Sequence, residues 1–112
     1  MLSSEIETLF DAHPESYSQE DHELFLRFKS ALNNGSARTA SPDPTAQIGW
    51  TVNGWVKKGI LLGFRMGEMV DMSIDSTRQP FFDKATFPVK AFSHESDVRI
   101  VPGGSSIRDG CY

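Results

Sequence analysis

One cysteine, Cys111, is all the chain holds in 112 residues, so no internal disulfide can form and a disulfide-stapled secreted scaffold is excluded. Positive charge is also scarce: eleven Lys and Arg face fifteen Asp and Glu, for a formal net charge of −4. A general nucleic-acid binder needs a basic face, so this balance argues against one. No long hydrophobic run occurs. The longest apolar stretch, Gly59 to Phe64, is far short of the ~20 residues a membrane span requires, and no membrane partner is expected. Met1 to Glu7 carries neither a basic n-region nor an apolar h-region and does not read as a signal peptide. The expected address is a reducing cytoplasm. His13, His22 and His94 share no metal-ligand spacing, so no metal is expected. No Ser stands in a G-x-S-x-G context, and nothing beside Cys111 marks it as a nucleophile; a small apolar filler is its expected role.

What is present belongs to a folded domain. Hydrophobic residues make up 38%, charged residues 23%, and there are eight Phe, too aromatic and too balanced in charge for disorder. A chain of this size buries roughly 65% of its unfolded surface, enough for one modest core. Ser4-Glu5-Ile6-Glu7 reads as a capping box opening a first helix, with Ile6, Leu9 and Phe10 at helical spacing and Pro14 as its stop. Ser18 with Asp21 opens a second, whose apolar stripe is Leu24, Phe25, Phe28, Ala31 and Leu32, closed by Asn33-Asn34-Gly35.

Ser41-Pro42-Asp43-Pro44 forbids a helix, and the flanking segments Ala37–Ala40 and Gln47–Thr51 are expected to pair as a hairpin. Asn53 then caps a third helix bearing Trp55, Val56, Ile60, Leu61, Leu62 and Phe64, whose apolar residues nearly encircle it. It should be the central helix, with Trp50, Trp55, Ile60, Leu62 and Phe64 packed on Leu24, Phe25 and Phe28. From Gly67 to Phe92 the pattern is irregular or short-stranded, anchored by Phe81, Phe82 and Phe87. Val98 and Ile100 alternate as in a strand that runs into the Pro102-Gly103-Gly104 turn.

Four features could carry function. Gly59-x-x-x-Gly63 fits either a helix dimer face or a groove for a bulky neighbour such as Trp50; glycine weakens a helix interior by roughly 1 kcal/mol, so a packing reason is expected. Lys57 and Lys58 are solvated cations or binding groups. Gly103-Gly104-Ser105-Ser106 is a weak match to an anion-cradling nest. Arg99, in the alternating segment, could offer a fixed guanidinium to a carboxylate, though as a pattern alone it reads first as a surface arginine.

Three ordered blocks then resemble a known family. Trp50-x4-Trp55-Val56-Lys57-Lys58 with Leu61-Leu62-Gly63-Phe64-Arg65 resembles the W-x4-W-[LV]-K-K-x-x-L-L-x-F-R signature of tetrahydrodipicolinate N-succinyltransferases. Phe81-Phe82-Asp83-Lys84 resembles the aromatic-aromatic-D-K block that follows it. Arg99-Ile100-Val101-Pro102 and Ile107 to Tyr112 resemble the element that opens the family's hexapeptide-repeat domain. The resemblance covers Trp50 to Tyr112; the leading helices agree in general character. The segment between Lys84 and Pro88 is about two residues longer than the family's usual form, and Pro102-Gly103-Gly104 replaces a Pro-Pro or Pro-Gly turn.

The resemblance implies an α+β fold: a small, mainly helical N-terminal domain with a short β-hairpin over residues 1–95, then residues 96–112 as the first rung of a left-handed parallel β-helix. It implies succinyl transfer from succinyl-CoA to tetrahydrodipicolinate in the diaminopimelate route to lysine, by a homotrimer. Succinyl-CoA is then a co-substrate, no cofactor is tightly bound, and the donor groove and catalytic acids lie downstream of Tyr112. Arg99 matches the family's substrate-binding position, with Arg65 and Lys57 as second-tier candidates. Two other readings remain: a non-catalytic helical interaction module, or the leading domain of another hexapeptide-repeat acyltransferase.

Overall fold

The architecture rests on a computed structural model that describes residues 1–112. Ser18 starts its best-defined element. The Asp21 amide donates to Ser18 Oγ at 3.1 Å, and the Ser18 amide donates to Asp21 Oδ2 at 2.8 Å, so the expected capping box opens α2, Gln19–Asn33. Helix α1, Leu2–Ala12, begins earlier than its sequence signal. Met1 is its N-cap, and Ser4 sits inside the first turn with its hydroxyl donating to the Met1 carbonyl at 2.9 Å. The Ser4/Glu7 box is therefore not formed. His13 ends α1 in the left-handed region at φ 47°, immediately before Pro14.

Strands β1, Ala40–Pro42, and β2, Trp50–Val52, pair antiparallel with Ser41 opposite Thr51. The hairpin exists, but both strands lie further along the chain than expected, Ala40–Pro42 against Ala37–Ala40 and Trp50–Val52 against Gln47–Thr51. Asp43 pins the turn between them: its amide donates to the Gly49 carbonyl at 2.8 Å while its carboxylate accepts from both Thr45 and Thr51. Asn53 precedes α3, Gly54–Met66, yet its side chain does not cap it. Its Nδ2 donates back to the Arg38 carbonyl at 2.7 Å and to Ser41 Oγ at 2.9 Å, tying helix to hairpin.

Helix α3 packs against α1 and α2. Its buried face is Val56, Gly59, Leu62, Gly63 and Met66, while Leu61 and Lys57 look outward, so the helix has a solvent side after all. The two glycines have the packing role, with different neighbours from those expected. A Cβ on Gly59 would collide with the Phe28 ring, and one on Gly63 with Phe87 and Phe25. Trp50 is not involved; it lies on the hairpin, 51% exposed. Trp55 does join the core edge, its ring 5.8 Å from that of Phe28.

Strands β3, Met69–Asp71, and β4, Phe82–Lys84, form a second antiparallel ribbon. Phe81 and Phe82 are 59% and 60% exposed rather than anchors, because a two-stranded ribbon offers them no second layer. Phe87 alone of the three is buried, set edge-on to Phe25 at 5.5 Å and against Phe64 at 4.8 Å. Val98 to Val101 forms no strand, since a strand needs a ladder partner and none lies beside it within these residues. The overall class is a small helical core carrying two short antiparallel ribbons.

Candidate functional site

Beyond Phe87 the chain leaves the core, makes a loop and returns. Val89 and Arg108 form an isolated antiparallel bridge; the Lys90 amide donates to the Ile107 carbonyl and the Asp109 amide to the Pro88 carbonyl, both at 2.8 Å. Residues 91–106 are thus a loop whose two ends lie side by side. Within it Ser93 and Ser96 close a single 3₁₀ turn at His94–Ser96, Asp97 takes a left-handed conformation at φ 55°, and Gly103 at φ 99° turns the chain back. Gly103 and Gly104 face open space, so the Gly-Gly-Ser-Ser run is an exposed turn.

Arg99 lies in this loop. It is exposed and makes no hydrogen bond or ion pair with the rest of the chain. That sets it apart. Lys57, exposed on the outer side of α3, is likewise unengaged. Every other lysine and arginine is held by a carboxylate, a carbonyl, an amide or a ring. Arg65 is among the held ones: its Nη1 donates to the Phe10 carbonyl at 2.9 Å and its guanidinium lies 4.3 Å from the Phe10 ring centre, clasping α1 to α3. Lys58 pairs with Asp11 at 3.1 Å and sits 3.7 Å from Glu7. Of the three cations read as binding candidates, the structure leaves Arg99 and Lys57 available and commits Arg65 to packing.

The base of the loop is a polar junction on α2. Asn33 Oδ1 accepts from the Gly110 amide at 2.9 Å and from Lys90 Nζ at 3.0 Å, while Asn33 Nδ2 donates to Asp109 Oδ1 at 2.9 Å. Lys90 Nζ also donates to the Cys111 carbonyl. Lys29 reaches Asp109 Oδ2 at 3.2 Å and the Thr86 carbonyl at 3.0 Å. Burial works against the Asp109 carboxylate, but the Asn33 amide and the Lys29 ammonium outweigh it and hold its pKa below the ordinary value. Arg108 grips Asp83 at 2.7 Å and lies over the Phe64 ring; the Lys84 amide and then Arg108 lower the Asp83 pKa as well. Cys111 is exposed and does not fill a core space, because the returning segment lies on the outside of α2.

Residues 1–66 match the family model for the N-terminal part of tetrahydrodipicolinate N-succinyltransferase. The chain belongs to the tetrahydrodipicolinate N-succinyltransferase family. The matched span takes in α1 and α2, the helices whose sequence agreed with the family only in general character. Among curated relatives, the 2,3,4,5-tetrahydropyridine-2,6-dicarboxylate N-succinyltransferase of Variovorax paradoxus is 44% identical over 80 residues, covering 65% of this chain and 26% of the relative. The enzyme of that name from Gluconobacter oxydans is 34% identical over 75% of this chain and 31% of its own length. That from Methylococcus capsulatus is 30% identical over the whole of this chain and 41% of its own length. The chain therefore spans well under half the length of these succinyltransferases and corresponds to the N-terminal portion of the family's enzyme.

Sequence reasoning singled out Arg99 as a candidate and missed the junction beneath its loop. Asn33 read as a helix stop, and nothing local signals that its amide meets residues 57 and 77 positions further along the chain.

Proposed function

We propose that these residues are the acceptor-positioning N-terminal portion of an enzyme that moves succinyl from succinyl-CoA to the amine of ring-opened tetrahydrodipicolinate, a step toward diaminopimelate and lysine. The amine nitrogen attacks the thioester carbonyl, the C–S bond breaks, and the amine proton passes by way of a base to the departing sulfur, so that coenzyme A leaves as the thiol. The catalytic acids and the acyl-CoA groove belong downstream, where residues 96–112 lead into a left-handed β-helix that assembles as a cytoplasmic trimer. Succinyl-CoA enters as co-substrate, with no tightly bound cofactor.

One observation carries the role assigned to this portion: Arg99 is the arginine that an otherwise self-engaged, net-acidic chain leaves free. A dicarboxylate acceptor needs a locally placed cation, and a guanidinium can meet a carboxylate with two parallel hydrogen bonds. Lys57 is a secondary attraction for the same charge.

The test is thiol release from succinyl-CoA. The full-length protein should release thiol only when tetrahydrodipicolinate is present, and the 112-residue chain alone should release none. Failure of the full-length protein with this acceptor, alongside turnover of another amine, would reassign the substrate. Steady turnover by the isolated chain would overturn the division of labour.

A further inference from the structure

The Asn33 side chain sits where the two ends of the Arg99 loop meet, and it holds both. Its Oδ1 takes a hydrogen bond from Lys90, on the segment entering the loop, and another from the Gly110 amide, on the segment leaving it. Its Nδ2 simultaneously fixes Asp109, whose other carboxylate oxygen is paired with Lys29 one turn earlier on α2. We infer that Asn33 is a positioning residue: it clamps the base of the loop 91–106 to α2 and thereby sets where Arg99 stands.

The loop needs such a clamp. It exceeds the ~12–15 residues that connections lacking regular structure usually reach, and loops of that length in compact domains are commonly functional. Its own order comes from one 3₁₀ turn and the turn at Gly103, while Val98, Arg99 and Val101 are exposed and pack on no core element. Closing a loop reduces chain entropy, and the closure must be maintained by contacts at its ends. Those at hand are the short backbone bridge at Val89 and Arg108, the Arg108–Asp83 pair, and the Asn33 junction. The junction alone connects both ends to a long helix. A primary amide suits this place because it accepts and donates at once; a carboxylate could serve Lys90 and Gly110 but would repel Asp109.

The inference rests on the reading of Arg99 as an acceptor-binding group, and the experiment separates the two. Amide hydrogen exchange on the 112-residue chain comes first. Asn33→Ala should speed exchange at Lys90, Asp109 and Gly110 by roughly five- to tenfold, the scale of one lost hydrogen bond, while α3 amides keep wild-type protection. If Asn33→Ala does not fold, Lys90→Met removes one arm of the clamp and should speed the Asp109 and Gly110 amides. In the full-length enzyme, Asn33→Asp should raise the acceptor KM with little change in kcat or in the KM for succinyl-CoA. Asn33→Asp combined with Asp109→Asn restores a donor–acceptor match and should recover most of that loss. Unchanged exchange at the loop base, or a normal acceptor KM in Asn33→Asp where Arg99→Ala raises it, overturns the clamp. Normal acceptor kinetics in Arg99→Ala overturn the reading of Arg99 instead, and the exchange result still decides what Asn33 does.

Discussion

The Phe28 ring lies over Gly59, in the space a β-carbon would fill. Phe28 is fully buried, so the ring has little room to retreat. Gly59→Ala gains about 1 kcal/mol of helix propensity. Overpacking a filled core costs typically ~1–3 kcal/mol, so the net effect should be destabilising. Urea denaturation checks it, and a variant at or above wild-type stability would show that the rings separate readily.

Phe28→Ala and Trp50→Ala should behave as opposites. Removing a buried Phe costs ~3–5 kcal/mol, comparable with the stability of a small domain, so Phe28→Ala should largely unfold the chain. Trp50 is half exposed on β2, and its replacement should shift stability by ~0.5 kcal/mol or less. Trp55→Ala should fall between them, since that ring is only partly buried against Phe28.

Acid should loosen the β1–β2 hairpin before the helices. The Thr45 hydroxyl, then the Thr51 hydroxyl and the Thr45 amide, hold the Asp43 pKa down to about 2. A carboxyl depressed in the folded state supports it fully above its ordinary pKa of 3.8 and loses that support as pH falls toward 2. The Trp50 and Thr51 resonances should therefore titrate across that window, and Asp43→Asn should abolish the transition. Helix α2 resonances around Leu24 and Phe28 should not follow it.

The arginines should separate by role. In the full-length enzyme, Arg99→Ala should lower kcat/KM for the acceptor roughly ten- to hundredfold, the loss of one charge-assisted pair, and leave the KM for succinyl-CoA in place. Arg99→Lys should recover part of this, keeping the charge without the fork. Arg65→Ala should spare the acceptor kinetics and reduce stability by ~1–2 kcal/mol, as the clasp on Phe10 is lost. Thermal melts and acceptor titrations on the same preparations distinguish the two outcomes.

What the sequence revealed and what it concealed divide along contact range. Ser18 with Asp21, the stripe from Leu24 to Leu32 and the stop at Asn34-Gly35 are all local, and α2 follows them closely. The Asp43 turn was legible as a turn, but it is pinned by side-chain hydrogen bonds from Thr45 and Thr51 that no propensity encodes. Ser4 misled because a serine in a first turn resembles a serine at a cap. Phe81 and Phe82 misled because hydrophobicity implies a layer to pack on, and the β3–β4 ribbon provides none. Gly59 and Gly63 announced close packing without naming the rings that occupy them. Arg99 and Lys57 were legible as unassigned cations, whereas the engagement of Arg65 with Phe10 needed α1 and α3 to be side by side.

The rings of Trp55, Phe28, Phe25, Phe87 and Phe64 touch in succession, and Phe87 is the only one of them contributed from beyond Met66. Residues 1–66, the span that matches the family's N-terminal part, therefore leave this run of rings one member short. On a ribosome, α1, α2 and α3 would emerge with a hole over Gly63 and an apolar flank of Phe25 open to water. That hole closes only after both ribbons have been made. Late docking of one side chain from a distant segment raises contact order, so this small helical domain should fold more slowly than its helix content alone would imply.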